Sequence, residues 1–282
     1  MQAKKSLGQH FLKSQKAIET MVKTSGAQTG DLVLEIGPGM GVLTEALLQA
    51  GASVVAVEKD DLLIPVLEEK FEKEIKSGQL KLIHDDILNF DVSKVPFGGS
   101  ELPRGTLDTY KLVANIPYYI TGQIIRIFLE AENQPESMTL LVQKEVAERI
   151  VARDEKESLL SLSVKAYGTP KYVEKVPRGA FAPAPNVDSA IIHISNISKN
   201  NFRKNGSCEK CEKEFFELIH AGFAHKRKML LPNLSSLYAK DALSRAFAEC
   251  KLDVKCRAED VPLQKWFELL RELFSQEEII ER

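Results

Sequence analysis

The sequence predicts an α/β protein: a doubly wound, Rossmann-like sheet of seven strands with an antiparallel edge, followed by a small all-α domain. Three observations predict it. Short apolar segments alternate with helical segments through the first two-thirds of the chain, as in βαβ units. A glycine-rich turn follows the first apolar segment, at residues 35–41. Beyond Ser195 the strand pattern stops, and residues 212–282 carry helical patterns only.

Five strand–helix repeats account for most of the sheet. The apolar segments that predict buried parallel strands are Asp31–Ile36, Ser53–Val57, Leu80–Ile83, Tyr110–Ala114 and Met138–Val142. The segments that predict helices are Val42–Ala50, Asp60–Ile75, Gly122–Ala131, Lys144–Arg153 and Leu159–Ala166. Thr121 is predicted to cap the third of these helices, because its hydroxyl can accept a hydrogen bond from a free N–H group. Two further strands, Tyr172–Val176 and Ser189–Ile194, predict the antiparallel edge.

Loops and a change of composition predict the domain division. Residues 92–109 are rich in Gly and Pro and predict an exposed loop, and residues 196–206 predict a second, polar loop. Pro232 and Pro262 are predicted to break the helices that follow, because proline lacks the N–H group that a helix interior needs. The predicted domains are residues 1–196 and residues 197–282.

The composition is that of an ordinary globular protein, with 44% hydrophobic and 28% charged residues over 282 positions. No apolar run approaches the roughly 18 residues that cross a bilayer. The basic N-terminal segment lacks the apolar stretch of a secretory signal, and four cysteines in so long a chain do not predict a disulfide framework. We therefore expect a cytoplasmic protein with no membrane partner.

The cysteines also raise the question of a zinc site. Cys208 and Cys211 have the spacing of one cysteine knuckle, with Cys250 and Cys256 as the remaining candidate ligands. Structural zinc sites usually pair two closely spaced knuckles, whereas five residues separate the second pair. No metal site is predicted, and the thiols are interpreted as incidental.

The net charge of -2 hides an asymmetry along the chain. Residues 1–25 hold five lysines against one acid, and residues 199–228 hold eight Lys or Arg against four acids, whereas residues 58–108 hold twelve acids against seven bases. A polyanion such as RNA responds to the local field rather than to the sum. The two basic stretches could together form a phosphate-binding face, but composition alone favours the simpler interpretation that they are helices with solvated basic surfaces.

The glycine-rich turn predicts the kind of cofactor. Dinucleotide sites need G-x-G-x-x-G, in which the last glycine permits close approach around a pyrophosphate, but Val42 stands at that position here. A turn carrying Gly37 and Gly39 after a strand that ends in an acid, Glu35, suits a ligand without a pyrophosphate. S-adenosylmethionine is such a ligand, because its amino-acid end needs close backbone approach and an anion near its ammonium group.

Acidic residues follow the next two predicted strands. Glu58 comes 21 residues after Gly37, where a carboxylate can accept hydrogen bonds from both ribose hydroxyls. Asp86 follows the third strand and can accept a hydrogen bond from an adenine amino group. The turn and the two carboxylates, at three successive strand ends, favour S-adenosylmethionine over a dinucleotide.

A short segment after the fourth predicted strand points to the substrate. Asn115, Ile116, Pro117 and Tyr118 stand there. An adenine amine is a weak nucleophile, so an enzyme can help by accepting hydrogen bonds from both of its N–H groups. The Asn115 side chain and the Ile116 carbonyl supply two neutral acceptors, Pro117 fixes the backbone, and Tyr118 offers a face on which a base can stack. Phe181, in a second rigid Pro-rich segment, is the candidate for the opposite wall of the base pocket.

These residues carry a resemblance to a known family. The chain resembles the ribosomal RNA adenine N6,N6-dimethyltransferases, in particular their small-subunit methyltransferase A branch. The segments that carry the resemblance, in order along nearly the whole chain, are Lys5–Leu12, Leu34–Thr44, Asn115–Tyr118, Val142–Arg149, Phe181–Ala190 and Phe223–Leu230.

The resemblance implies a class I methyltransferase fold and a set of roles. His10 and Leu12 help to close over the cofactor, Gly37 contacts it, Glu58 binds its ribose, Asp86 binds its adenine, and Asn115 lies between cofactor and target. The implied reaction is four methyl transfers onto two adjacent adenosines near the 3′ end of 16S rRNA in the immature small ribosomal subunit, by an enzyme that we expect to be a monomer. The residues expected to hold RNA phosphates are Lys4, Lys5, Lys226, Arg227 and Lys228.

Two positions depart from the family pattern. His10 stands where the family usually has Asn, so its contact with the cofactor is expected through the backbone or in an altered form. Residues 119–122 read Tyr-Ile-Thr-Gly in place of the more usual Asn-Ile-Ser-Thr. This second departure changes the rim of the predicted pocket.

Four other functions fit parts of the same sequence. A macrolide-resistance methyltransferase acting on large-subunit rRNA shares the Asn115–Tyr118 segment, but Val142–Glu145 and Phe181–Ala190 look more like the small-subunit branch. A non-catalytic assembly factor that binds immature subunits is disfavoured because Gly37, Glu58 and Asn115 are all present. A dinucleotide-dependent oxidoreductase is disfavoured by Val42. A DNA adenine methyltransferase is disfavoured because Ile116-Pro117 stands where those enzymes typically have Pro-Pro.

Overall fold

The computed structural model describes residues 8–91, 109–205 and 211–277. The chain forms two compact units: residues up to 147 together with 169–197 make the first, and residues 148–168 together with those from 198 onward make the second. The sequence-based boundary at 196/197 differs from this division, because it leaves residues 148–168 in the first domain. The helix within that segment, Leu159–Tyr167, packs with the C-terminal helices instead.

The structure contains these strands and helices within the described residues. The strands are β1 (Phe11–Leu12), β2 (Leu32–Ile36), β3 (Ser53–Glu58), β4 (Leu80–His84), β5 (Lys111–Asn115), β6 (Ser137–Gln143), β7 (Thr169–Val176), β8 (Phe181–Ala182) and β9 (Ser189–Ser195). The helices are α1 (Gln15–Ser25), α2 (Val42–Gln49), α3 (Ile64–Lys70), α4 (Glu72–Lys76), α5 (Thr121–Glu130), α6 (Lys144–Val151), α7 (Leu159–Tyr167), α8 (Asn200–Asn205), α9 (Cys211–Gly222), α10 (Leu230–Leu234), α11 (Lys240–Glu249) and α12 (Leu263–Glu277).

Seven strands of the first unit form one sheet in the order β4-β3-β2-β5-β6-β9-β7. The first five of these pair in parallel, whereas β9 runs antiparallel to β6 and β7 runs antiparallel to β9. The predicted sheet with its antiparallel edge is therefore confirmed. The chain proceeds outward from β2 to β4 and then returns to the other side of β2 as β5, so a crevice opens at the carboxyl ends of β2 and β5.

The parallel strands form because their segments are mainly apolar, although Glu35 lies within β2 and Lys81 within β4. β2 is buried along its whole length, which requires cover on both faces of the sheet. Helix α1, which the sequence pattern did not predict, supplies part of that cover through Ile18 and Met21. Its boundaries have ordinary signals: the Ser14 side chain accepts a hydrogen bond from Ala17 N, and Gly26 ends the helix in the left-handed conformation.

Two predicted helical features are wrong in detail. The single helix predicted over residues 60–75 is two helices, α3 and α4, because the chain leaves the helical conformation at Phe71, whose ring is buried in the core. Thr121 does not cap α5: it is the first residue of the helix, with a helical backbone, and Ile120 holds the capping position. Within the described residues, the buried Thr121 hydroxyl has no hydrogen-bond partner.

The second unit is helical, as predicted, and its core is aromatic. Trp266, Phe215 and Phe267 are almost fully buried, and the Tyr167 hydroxyl of α7 donates to Glu212 Oε1 of α9 at 2.6 Å. Part of the predicted polar loop at 196–206 is helix α8 instead, because Phe202 is buried among the aromatic rings. Pro232 does not separate two helices but lies in the first turn of α10, a position where proline is tolerated. Pro262 immediately precedes α12, as predicted.

In the part of the chain that the structure describes, no helix is both long and apolar enough to cross a bilayer. Most of the predicted loop at 92–109 lies outside the described residues.

Candidate active site

A pocket lies at the carboxyl ends of β2, β3 and β5 in the first unit, with a volume of about 1240 Å³ that includes the part open to solvent. Every residue that the sequence predicts as cofactor-binding lines it, and so do four of the five predicted catalytic residues. The cofactor-binding set is His10, Leu12, Gly37, Gly39, Glu58, Asp86 and Asn115. The catalytic set is Asn115, Ile116, Pro117 and Tyr118.

Phe181 is not among the residues that line this pocket. Its ring is only 2% exposed and belongs to the hydrophobic core, and its backbone pairs with Leu12 in the small β1–β8 ribbon. The structure does not bring the Phe181 ring to the lining of this pocket, and its role as a wall of the base pocket stays a prediction. Because its side chain packs in the core beside β1, Phe181 also helps to anchor the N-terminal segment.

The glycine turn after β2 carries three glycines with positive φ angles of 64°, 60° and 72°, at positions 37, 39 and 41. A side chain at Gly37 would meet open space, so the backbone there is accessible from the pocket. At Gly39, a Cβ would lie 3.1 Å from the Phe11 ring. At Gly41, it would lie 2.5 Å from Cε2 of Phe71. The three glycines therefore have different roles. Gly37 leaves its backbone accessible to the pocket, Gly39 leaves room for the Phe11 ring of β1, and Gly41 leaves room for the buried Phe71 ring.

Substitution of Gly41 tests how much the close packing against Phe71 contributes to stability. Gly41→Ala is expected to lower the free energy of unfolding by about 2–4 kcal/mol, because it combines left-handed strain with a clash against a buried ring. Gly78→Ala is the matched control: φ at Gly78 is +78°, and nothing lies within 4 Å of the Cβ position. Urea denaturation should show a loss of only about 1–2 kcal/mol for the control. Equal losses in the two variants would show that packing at Gly41 contributes nothing.

Glu58 connects the end of β3 to the glycine turn. Its Oε2 accepts a hydrogen bond from Gly39 N at 3.1 Å, and its Oε1 accepts one from Asp60 N at 2.8 Å. Burial raises the pKa of Glu58, while those N–H groups act in the opposite direction. Since each carboxylate oxygen has two lone pairs, both oxygens keep the capacity for one further hydrogen bond.

Asp86 follows β4 and forms an ion pair at the rim of the pocket. Its Oδ2 lies 2.7 Å from Lys59 Nζ, and its Oδ1 accepts a hydrogen bond from Leu88 N. Partial burial acts to raise the pKa of Asp86, but the hydrogen bonds from Lys59 and Leu88 outweigh it and the pKa lies below its ordinary value. Asp86 is therefore ionised and remains an acceptor at neutral pH.

Glu35 is a residue of the site whose protonation could not be predicted from the sequence. Its side chain is 1% exposed, lines the pocket, and has an Oε2 atom with no hydrogen-bond partner in the described part of the chain. Burial raises the pKa of Glu35 to about 8; Thr44 and Lys70 oppose this effect, and the negative charge of Glu58 adds to it. A buried carboxyl that borders a pocket and has one oxygen without a hydrogen-bond partner is suited to receive a cationic partner.

Asn115 ends β5 and has a defined orientation. Its Nδ2 donates to the His10 carbonyl oxygen at 3.1 Å. Because only an N–H group can face a carbonyl oxygen, the amide cannot be reversed, and Oδ1 is the acceptor end of the side chain. The contact of His10 with Asn115 is therefore made through the His10 backbone.

Tyr118 is half-buried beside Asn115. Its hydroxyl lies 2.7 Å from Ser189 Oγ, and burial raises its pKa. The ring lies 5.9 Å from the His10 ring, with 24° between the planes. The His10 ring is also fixed, since Nδ1 lies 2.8 Å from the Pro183 carbonyl oxygen and must donate to it.

An N-terminal strap, defined here as residues 8–13, covers one side of the pocket. Strand β1 pairs with β8, Lys13 N donates to Ala180 O at 2.7 Å, and Gln9 Nε2 donates to Asp60 Oδ2 at 2.7 Å. Sequence reasoning did not find Gln9 or Asp60, because no local signal connects residues so far apart in the chain. Lys4 and Lys5, predicted to hold RNA, lie outside the described residues.

The second unit carries the other predicted RNA-binding residues. Lys226, Arg227 and Lys228 are exposed in the loop between α9 and α10. The sequence pattern missed two further exposed cations, Lys255 and Arg257, which a hydrogen bond from Leu230 N to Cys256 O brings alongside that loop. We call these five residues the basic surface.

Within the described residues, the cysteines do not form a metal-binding cluster. Cys208 lies outside the described residues, while Cys211 and Cys250 are buried. Among residues 8–91, 109–205 and 211–277, no group of His, Cys, Asp and Glu side chains is arranged to hold a metal ion.

Comparison with solved structures identifies the architecture. A dimethyladenosine transferase from Plasmodium falciparum superposes with a TM-score of 0.77 and 22% identity, covering 95% of this chain and 98% of that one. The 23S rRNA methyltransferase ErmE superposes with a TM-score of 0.70 and 24% identity, covering 94% and 99%. At these identities the likeness supports the fold alone, which is the class I methyltransferase fold.

Comparison of sequences identifies the family. Over 274 residues, the chain is 42% identical to the ribosomal RNA small subunit methyltransferase A of Dehalococcoides mccartyi, and the match covers 96% of this chain and 89% of that protein. The family model described as ribosomal RNA adenine dimethylase matches residues 1–274. The chain therefore belongs to the ribosomal RNA adenine dimethylase family.

Proposed function

We propose that this protein transfers methyl groups to the N6 amines of two adjacent adenosines near the 3′ end of 16S rRNA, as part of ribosome biogenesis. Its family makes it an S-adenosylmethionine-dependent rRNA adenine dimethyltransferase. The choice of nucleotides, the immature small subunit as substrate, a monomeric state and a cytoplasmic location are parts of the proposal. The main support for this proposal is one observation: Asn115, whose Oδ1 is an oriented neutral acceptor, lines the same pocket as the glycine turn and the carboxyl groups of Glu35 and Glu58.

The pocket fits S-adenosylmethionine. The unpaired Oε2 of Glu35 suits the α-ammonium group, and the open space above Gly37 permits close backbone approach. Glu58 has the remaining lone pairs for two ribose hydroxyls, and the ionised Asp86 suits an adenine amino group. When bound, S-adenosylmethionine supplies a methyl group made electrophilic by the positive sulfur.

Asn115 and Ile116 act on the target amine. The lone pair of adenine N6 is delocalised into the ring, so the amine must become tetrahedral before it can attack. Hydrogen bonds from its two N–H groups to Asn115 Oδ1 and to the Ile116 carbonyl favour that geometry in the transition state. Pro117, with φ of -55°, holds the two acceptors in place, and the Tyr118 ring supports the base.

Neutral acceptors suit this reaction because positive charge moves from sulfur to nitrogen during transfer. After transfer, the excess amine proton leaves to water. Alignment of the amine and electrostatic stabilisation supply most of the acceleration, which agrees with a site built from fixed hydrogen bonds such as Asn115 to His10.

The basic surface is proposed to hold rRNA phosphates, and its effect is measurable. Replacing Lys226, Arg227 and Lys228 with Glu is expected to weaken RNA affinity and to reduce the slope of log affinity against log salt by about 2, at about 0.7 per phosphate contact on single-stranded RNA. Filter binding over a range of salt concentrations measures the slope.

The matched control makes the same change in net charge elsewhere. Lys73, Lys76 and Lys81 are exposed lysines within the acidic stretch 58–108, and their replacement with Glu should leave the salt slope unchanged. If both triple variants alter the slope equally, net charge alone is responsible and the basic surface is not part of the interface.

One assay tests the proposed function against its rivals. Unmethylated small subunits, naked small-subunit rRNA and large subunits are incubated in parallel with labelled S-adenosylmethionine, and the modified nucleosides are identified after digestion. N6,N6-dimethyladenosine in small-subunit RNA is the expected result. Methylation of large subunits only would identify a macrolide-resistance type of activity. Binding of small subunits without methylation would indicate an assembly factor.

A further inference from the structure

Tyr119 is the exposed aromatic residue at the mouth of the pocket. It is one of the residues that line the pocket, yet it is 64% exposed. Exposure of a single large side chain is ordinary, so its meaning depends on how the ring is held and on what lies beside it.

The ring is held in place without being covered. Tyr119 lies in the short 3₁₀ turn Tyr118–Ile120, which is closed by a hydrogen bond from Ile120 N to Pro117 O at 3.2 Å. On one side, the strap passes so close that a Cβ on Gly8 would lie 3.3 Å from Tyr119 Cε1. Since φ at Gly8 is +60°, both the conformation and the space favour glycine at that point. The strap therefore supports the ring while the rest of it faces solvent.

The two adjacent tyrosines present their rings in different directions. Successive side chains of a 3₁₀ turn lie about 120° apart around its axis. Tyr118 is half-buried and fixed through Ser189, whereas Tyr119 is exposed. An RNA strand that places one base on Tyr118 therefore brings the next nucleotide close to the Tyr119 ring.

A cation lies at the same rim. Lys59 lines the same pocket as Tyr119, where its ammonium group pairs with Asp86 and its side chain is 52% exposed. An aromatic face next to a lysine is the combination that binds single-stranded nucleic acid, because the ring stacks on a base and the ammonium group attracts a phosphate.

We propose that Tyr119 is a stacking platform for the nucleobase that neighbours the target adenosine in the RNA strand. The proposal rests on the proposed function and adds a second base-binding position to it. The competing role is stacking on the adenine of the methyl donor. The exposure of Tyr119 disfavours that role, because a ring that enclosed a cofactor inside the pocket would face inward.

The test compares Tyr119→Ala, Tyr119→Phe and the control Leu62→Ala, which removes another exposed side chain of the first unit, one that does not line the pocket. For Tyr119→Ala, the KM for small-subunit RNA is expected to rise by between about 5-fold and 100-fold, the range of one stacked base. The affinity for S-adenosylmethionine, measured by calorimetry, should be unchanged. Tyr119→Phe keeps the aromatic face and should retain a near-normal KM, and Leu62→Ala should match the wild type.

A direct readout uses an RNA with 2-aminopurine in place of the nucleotide beside the target. Its fluorescence should be quenched by the wild-type protein and by Tyr119→Phe, and should be markedly less quenched by Tyr119→Ala. An unchanged KM with unchanged quenching in Tyr119→Ala overturns the platform. A loss of S-adenosylmethionine affinity at unchanged RNA KM assigns the ring to the cofactor instead. If the wild-type protein methylates no RNA, the proposed function itself fails, which is a separate result.

Discussion

Asn115→Ala is expected to lower the rate of methyl transfer at saturating substrates by about 10²–10³-fold, the usual effect of removing one fixed group that stabilises a transition state. The structure gives the reason: Nδ2 is bound to the His10 carbonyl oxygen, so Oδ1 is the end available to the target amine. The same substitution removes one anchor of the strap. The affinity for S-adenosylmethionine should therefore fall by only about 5-fold, as for loss of one neutral hydrogen bond.

Gln9→Ala is the matched control for the strap. It removes the hydrogen bond to Asp60 Oδ2 and leaves Asn115 intact, so it should reproduce the modest loss of cofactor affinity without the loss of rate. Single-turnover methylation of small subunits and calorimetric titration of S-adenosylmethionine separate the two effects. If both variants have the same rate at saturation, Asn115 supports the strap only and is not the acceptor for the target amine.

Glu35→Gln is expected to weaken S-adenosylmethionine binding by about 10-fold to 100-fold, the range for a hydrogen bond to a charged group. It should also abolish a pH dependence that the wild-type protein shows. Burial raises the pKa of Glu35 to about 8, so the free protein holds a proton there at neutral pH. Binding of an ammonium group favours the carboxylate and expels that proton. The affinity of the wild type should therefore rise with pH up to about 8, by as much as tenfold per unit.

The stability of the free protein should show the opposite slope. Between pH 4.5, the ordinary pKa of Glu, and about 8, the native state holds a proton that the unfolded chain has released. Because the native state binds more protons, the free energy of unfolding falls as the pH rises through this window. This contribution of Glu35 should be absent in Glu35→Gln.

Calorimetry in buffers of different ionisation enthalpy counts the protons released on binding. Glu68→Gln is the control, since it removes one negative charge from the exposed side of α3 and should leave proton release unchanged. An affinity that is flat from pH 5 to 8 in the wild type, or proton release that persists in Glu35→Gln, would show that Glu35 does not receive the ammonium group.

The sequence identified most of the pocket because its residues stand at the ends of strands. Glu35, Glu58, Asp86 and Asn115 each follow or end an apolar segment, and parallel strands bring such ends to one edge of the sheet. The glycine turn was equally visible, since its spacing is local. Phe181 differs from these residues, because an aromatic residue in a Pro-rich segment gives no local signal of its surroundings, and only the structure shows its pairing with Leu12 and its burial in the core.

The sequence by itself determined the parallel sheet, the helical second part, the glycine turn and the polar residues at the strand ends, because each is encoded by patterns that span a few residues. Only the tertiary structure decided which groups meet over long separations: Asn115 with His10, Gln9 with Asp60, and residues 148–168 with the C-terminal helices. It alone also decided the protonation of Glu35, since the pKa of a carboxyl depends on burial, and burial is a property of the packed chain rather than of any segment.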